Sequence, residues 1–243
     1  MLFRSVYGGI PRREGVNGQE PSSWADGSRG WRGYLAPEEH PRIVDPPDGR
    51  LWTANARVVD GEMLALIGDT SYEIGSRARI IRGRLAAKER FEPRDFLSIQ
   101  LDDSALFLER WRSLLLQVLA SPAAAGNQKR AEVRRLVETT WNGHADPASV
   151  AYRFTRTFRD RVSRSAFTFL LAECVRADDR FDYTIERKRE GPLWRLVSER
   201  PLHLLDPQYA SWDAFLLSSI DAVIADAEAT FGDRKSTRLN SSH

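Results

Sequence analysis

The sequence is poor in several features that would each announce a chemistry. It has one cysteine, Cys174, so no internal disulfide can form and the redox compartment stays open. Cys174 closes an apolar helical run (Phe167, Phe169, Leu170, Leu171) and is expected to be a small buried hydrophobe rather than a catalytic thiol. No apolar stretch approaches the roughly 20 residues that cross a bilayer, so no membrane partner is expected. Residues 1–5 carry no apolar signal-peptide core. Charge of one sign is lacking too. The formal net charge is +2, and that excess equals the balance of Arg234, Lys235 and Arg238 over Asp233 in the last eleven residues. The pI therefore gives no reason to expect a nucleic-acid partner. The four histidines, His40, His144, His203 and His243, are far apart and have no Cys or His at ligand spacing. There is no phosphate-binding glycine loop and no Gly-x-Ser-x-Gly nucleophile elbow.

What is present is enough apolar material for a folded core. Hydrophobic residues make up 42% of 243, which sets the chain apart from disordered sequences. Residues 1–50 are loop-rich. A short strand is expected over residues 2–7, with Gly8-Gly9 as a turn after it. Residues 12–30 have little to bury. Pro37, Pro41, Pro46 and Pro47 then disfavour helix and favour extended coil, because each removes a backbone donor and restricts its predecessor. Asp48-Gly49 marks a turn. Leu51, Thr53, Val58 and Val59 alternate enough to predict a strand over 51–59.

After residue 76 the pattern becomes helical. Glu92-Pro93 marks a helix start. Leu97, Leu101, Leu108, Trp111, Leu115 and Val118 recur at mostly helical spacing. A loop is predicted over 121–128, then a helix carrying Val133, Leu136, Val137 and Trp141. A third helix opens at Asp146-Pro147, with Val150, Phe154, Phe158 and Val162 on one face and Arg153, Arg156, Arg159 and Arg164 on the others. Such an arginine set is usually a solvated face with carboxylate neighbours, and Asp160 is close by; it also fits docking to an acidic partner. Trp212, Phe215, Leu216, Ile220, Val223 and Ile224 mark a last helix ending near Gly232. The polar, aperiodic stretch 233–243 resembles translated adapter sequence, and we read it as a non-native or disordered tail that follows a single domain over 1–232.

One ordered set of short motifs stands out. Trp31-Arg32-Gly33 is followed by Pro41-Arg42, by Asp45-Pro46-Pro47-Asp48-Gly49, and by Thr53-Ala54-Asn55. Tyr72, then Arg77, Arg79 and Ile80, then Ile99-Gln100-Leu101-Asp102 come next, and Trp141-x-Gly143 precedes a helix starting near Ser149. In this order and spacing the chain resembles the penicillin acylase (penicillin amidase) family of N-terminal-nucleophile hydrolases, from about residue 6 to about residue 230. Each motif is weak alone; the ordered set is fairly specific.

The resemblance implies an α+β fold, a piece of the family's four-layer α/β/β/α sandwich that is mostly helical after about residue 76. It implies an amidohydrolase acting on linear carboxylic amides such as β-lactam side chains or acyl-homoserine lactones, through an acyl-enzyme on an N-terminal serine. Asn55 matches the oxyanion-hole asparagine, and Arg77, 22 positions on, matches an arginine that supports it. Read without those motifs, Asn55 is an edge or turn hydrogen bonder and Arg77 a surface ion-pair former.

The chain departs from the family in having no serine at the nucleophile's place. Ser5 is internal, so the isolated chain is expected to be inactive. Its partners would be the N-terminal part of the same precursor and a smaller alpha chain, with a small-molecule amide as substrate. No cofactor is required for catalysis. The resemblance allows a structural calcium ion in the parent, but Asp69, the nearest carboxylate, does not align cleanly with a ligand position. A periplasmic location is implied in the same way. The competing reading is a non-enzymatic helical interaction module that uses the arginine-lined helix over 148–171.

Overall fold

The computed structural model describes residues 9–15, 23–68, 72–183 and 187–239, with side chains up to residue 230. The strand expected over 2–7 and the carboxylate of Asp69 lie outside the described residues. Among the described residues the fold is mostly helical with one small sheet. It divides into two compact units with a boundary between Pro93 and Arg94.

The first unit opens on an antiparallel pair, β1 (Pro11–Glu14) and β2 (Gly30–Tyr34), which pairs Arg13 with Trp31 and Glu14 with Gly30. Neither strand is foreshadowed in the sequence. The less exposed positions, Pro11 and Arg13 of β1 and Gly30 of β2, carry no apolar side chain of the kind that marks a half-buried strand, so the usual apolar alternation is absent. Polar pairing across the sheet takes its place: Arg32 meets Glu14 at 2.7 Å. Ile10 and Leu35 are buried beside the pair, joined by a backbone bond from Leu35 N–H to the Ile10 carbonyl at 2.8 Å. The Tyr34 ring lies where a Cβ on Gly9 would stand, so only glycine fits there.

A single 3-10 turn, Pro37–Glu39, interrupts the proline-rich coil. The Glu39 carboxylate reaches back to accept from the Ala36 N–H at 2.7 Å and also takes Arg12 at 2.6 Å. The Asp48-Gly49 turn forms as expected, with Gly49 N–H donating to the Pro46 carbonyl. Helix α1 (Gly61–Ile67) ends at Gly68, whose φ of 84° only glycine takes easily. Arg13 of β1 donates to the carbonyl of Leu66 at 2.7 Å and so covers the C-terminal end of α1. Helix α2 (Ser76–Ala86) follows and buries Leu85.

The expected strand over 51–59 does not form; this stretch is coil with bends. Asn55 has φ 61°, in the left-handed region, and one such residue breaks a strand's extended run. The alternation of Leu51, Thr53, Val58 and Val59 is also not a burial pattern: Leu51 and Val58 are exposed, while Ala54 and Ala56 are buried.

The second unit is a helical assembly. Helix α3 (Pro93–Gln100) starts at the expected proline but stops early. Asp102-Asp103-Ser104 breaks the run, and a 3-10 turn at Leu106–Leu108 leads into α4 (Glu109–Leu119). Leu97 and Leu101 are therefore exposed, whereas Leu108, Trp111, Leu115 and Val118 are core. Helix α5 (Gln128–Thr139) is capped by Asn127, whose side chain accepts from the Lys129 and Arg130 N–H groups. Helix α6 (Val150–Leu170) is capped by Ser149, which accepts from Tyr152 N–H at 3.2 Å. Phe158 and Val162 face inward as expected, but Val150, on the first turn, is exposed.

Short α7 (Ala172–Ala177) buries nothing, and Cys174 on it is exposed. This corrects the expectation of a core cysteine: the long helix ends at Leu171, so the periodicity that placed Cys174 inward stops three residues before it. Helix α8 (Glu190–Glu199) and the final helix α9 (Trp212–Leu239) complete the unit. Helix α9 runs past Gly232, where a stop was expected. One glycine inside a helix costs only about 1 kcal/mol, and no proline or second glycine follows.

The core of this unit is contiguous. Trp111 sits edge-on to both Phe158 (6.3 Å) and Trp194 (5.4 Å), with Leu115, Val137, Val162, Leu193, Leu216 and Ile220 packed in the same cluster. Each such fully buried side chain contributes about 1.5–3 kcal/mol of apolar burial. Polar ties join the helices at the margin, among them Arg130 of α5 to Asp221 of α9 through two hydrogen bonds of 2.9 and 2.6 Å.

Candidate active site

Asn55 and Arg77, 22 positions apart, meet in the first unit. The Arg77 guanidinium, on the first turn of α2, donates to Asn55 Oδ1 at 3.2 Å and to the Ala54 carbonyl at 3.2 Å. The Asn55 carbonyl accepts from Glu73 N–H at 2.9 Å. Asn55 is thus held at its backbone and at one side of its amide, between two buried alanines, while the residue itself is exposed.

Local sequence accounts for this pose. The left-handed conformation at φ 61° is one that asparagine tolerates better than most residues, because its short polar side chain is accommodated there. Ala54 and Ala56 are small enough to tuck in on either side. Gly75 precedes α2 and places Arg77 at its first turn, where the side chain reaches back along the chain.

The chemistry of the pair follows from what each group can do. A guanidinium only donates, so its partner on the amide must be the oxygen. With Oδ1 engaged by a cation, the two N–H groups on Nδ2 are the part of the amide free to serve a ligand. Withdrawal of electron density toward Arg77 makes those N–H groups better donors. The result is a fixed, exposed hydrogen-bond donor aimed by a positive charge, which is what stabilisation of a developing oxyanion requires.

The sequence reasoning missed the support around this pair. The Trp52 ring lies under the Arg82 guanidinium at 5.2 Å. Arg50 donates to the carbonyls of Lys88 (2.5 Å) and Glu89 (3.3 Å), just beyond α2. An aromatic three residues before Asn55 and a second arginine five residues after Arg77 were visible signals, though neither has meaning until the two segments lie side by side.

Other chemistry-bearing residues have structural partners. The Asp103 carboxylate and His144 Nδ1 lie 2.6 Å apart on the surface of the second unit. Glu190 is a buried carboxylate on α8. It accepts from Arg110 (2.5 Å), from the Trp111 indole N–H (2.8 Å) and from Arg159 through two bonds of 3.0 and 2.7 Å. Burial acts against the Arg159 charge, but hydrogen bonding and attraction to Glu190 outweigh it and hold its pKa above the ordinary value. Arg159 is thus turned inward, unlike the solvated arginine expected on α6. Among the described residues no group of three or more His, Cys, Asp or Glu side chains is placed to hold a metal ion.

The profile of the penicillin amidase family matches residues 3–243. The penicillin acylase 2 proenzyme of Pseudomonas sp. (strain SE83) is 31% identical over 155 residues, covering 64% of this chain and 19% of that protein. An acyl-homoserine lactone acylase (QuiP) of Pseudomonas fluorescens strain Pf-5 is 27% identical, covering 98% of this chain and 31% of that protein. The corresponding acylase of Pseudomonas aeruginosa strain PAO1 is 31% identical over 109 residues, 45% of this chain and 13% of its own length. The chain spans less than a third of the length of these relatives.

Proposed function

Because the chain belongs to the penicillin amidase family, we propose that it supplies half of the oxyanion hole of an N-terminal-nucleophile amidohydrolase, with Asn55 as the donor and Arg77 as its support. The observation that carries this reading is the hydrogen bond from Arg77 to Asn55 Oδ1, which leaves the amide N–H groups to the substrate.

In the proposed reaction a serine hydroxyl adds to the amide carbonyl of the substrate and gives its proton to the serine's own α-amine. The carbonyl oxygen becomes an oxyanion, and Asn55 Nδ2 donates to it. Collapse of the adduct breaks the C–N bond, and the amine leaves with the proton held on the α-amine. Water then adds to the acyl carbon and gives a proton to the α-amine, the second oxyanion is held by the same donor, and its collapse breaks the ester C–O bond, returning that proton to the serine oxygen and releasing the acid. The serine, its amine and the second donor are assigned to the remainder of the parent protein. Ser5 takes no part in this scheme.

The substrate class is a linear carboxylic amide, a β-lactam side chain or an acyl-homoserine lactone. Relatives named as penicillin acylase and as acyl-homoserine lactone acylase support both. The parent fold is proposed as the four-layer α/β/β/α sandwich. Asn55→Ala in the full-length parent tests the reading: turnover should collapse while the folded state persists, and wild-type turnover would remove Asn55 from the site.

A docking role for the arginines of α6 has less support. Arg159 is committed to Glu190 and Asp160, and Arg161 is paired with Asp226 at 2.5 Å, so part of that positive charge is already neutralised within the chain.

A further inference from the structure

The segment carrying Asn55 has no sheet ladder to hold it, yet an oxyanion donor must be fixed to well under an ångström to be useful. What holds it is α2 and the residues flanking that helix. Three attachments run along the segment in reverse order to the helix. Arg50 bonds the Lys88 and Glu89 carbonyls, Trp52 lies against Arg82, and Ala54 and Asn55 take Arg77, with the Asn55 carbonyl on Glu73 N–H. The middle attachment has no backbone partner. It is a guanidinium over an indole, and it sits between the other two. A slip of the segment along α2 would break all three contacts together, so the middle one adds to the register that the outer two set.

From this arrangement we propose that Arg82, acting through the Trp52 ring, is a positioning residue for Asn55. It touches no substrate. Its cation lies over the Trp52 ring at 5.2 Å, and through that contact Trp52 holds the chain that follows in the register that lets Arg77 reach Oδ1. The inference rests on the reading of Asn55 as the oxyanion donor, and the two can fail separately.

The test has one readout on the asparagine itself and one on catalysis. The side-chain amide resonances of Asn55, assigned by loss in Asn55→Ala, should move and broaden in Arg82→Ala and in Trp52→Leu, while the Trp111 indole signal of the second unit stays in place. Arg82→Lys, which keeps a cation over the ring, should restore most of the wild-type position. In the full-length parent, Arg82→Ala should lower kcat roughly two- to fivefold with KM nearly unchanged, because the lost alignment matters where charge develops. Trp52→Leu keeps apolar bulk and guards against simple unfolding. If a folded Trp52→Leu or Arg82→Ala protein keeps the Asn55 resonances of the wild type, the positioning role is wrong. If those resonances move but Asn55→Ala retains full turnover in the parent, the clamp stands and the oxyanion reading falls.

Discussion

Arg77 Nη2 lies 3.2 Å from both Asn55 Oδ1 and the Ala54 carbonyl, so one guanidinium nitrogen holds two successive residues of a segment that has no secondary structure of its own. The contact orients the amide as well as anchoring it, because an arginine can bond only the oxygen end.

Replacing Asn55 by alanine in the full-length parent should lower kcat by about 10²–10³, the usual cost of one oxyanion donor, with KM little changed. Asn55→Asp should be no better. Its carboxylate would pair with Arg77 yet present no N–H to the oxyanion, and its own charge would oppose the one that develops. Steady-state kinetics on either proposed substrate class checks both variants.

Arg77→Ala should cost less, about tenfold in kcat, since the donor remains but is free to turn its oxygen outward. Arg77→Lys should fall between, because an ammonium replaces the charge without the guanidinium's geometry. A larger effect on KM than on kcat would instead make Arg77 a substrate-binding residue.

In the second unit the buried carboxylate is the weak point. Glu190 is 6% exposed and neutralises Arg159 and Arg110, so Glu190→Ala leaves Arg159 with Asp160 alone and takes the acceptor from Arg110 and from the Trp111 indole N–H. The expected loss is about 3 kcal/mol, the low end for a broken buried pair, because the Arg110 side chain is 38% exposed and can rehydrate. Glu190→Gln, which keeps acceptor capacity, should lose less. Urea unfolding followed by tryptophan fluorescence measures both.

Glu39 gives a pH dependence. Hydrogen bonding to Arg12, then to the Ala36 N–H, holds its carboxyl below the usual 4.5. A depressed carboxylate pKa contributes stability that is fully present above the unfolded value and is lost as pH falls through the folded one. Wild type should therefore exceed Glu39→Gln in stability above pH 4.5, and the gap should close on further acidification. Unfolding midpoints of the two proteins across that range decide it; a constant gap would mean the Arg12 contact is not electrostatic.

Cys174 is exposed, so the native chain should react with a thiol reagent without prior unfolding. Labelling that needs denaturant would return the residue to the core that its sequence context suggests.

Helices were legible wherever burial followed their period. Trp111, Leu115, Phe158, Val162, Leu216 and Ile220 are apolar in the sequence and packed in the structure, because the 3.6-residue repeat and the core impose the same constraint. The family resemblance picked out Asn55 and Arg77 for the same kind of reason, since their spacing is carried in the chain itself. The β1–β2 pair was not legible, because its strands are held by backbone pairing and exposed charges rather than by an apolar face. The inward turn of Arg159 depends on which side of its helix the rest of the molecule occupies, whereas α3 stops before Asp102-Asp103-Ser104 and Cys174 lies past the end of α6.

The sequence by itself determined that this chain carries a helical core, and its resemblance to the penicillin amidase family singled out an asparagine and an arginine 22 positions apart. Only the tertiary structure decided that the two touch, that the arginine takes the amide oxygen, and that Trp52 and Arg82 lie alongside. The physical reason is range. Periodicity and motif spacing are local properties of a chain, whereas the direction in which a hydrogen-bond donor points is set by residues that meet only after the chain has folded back on itself.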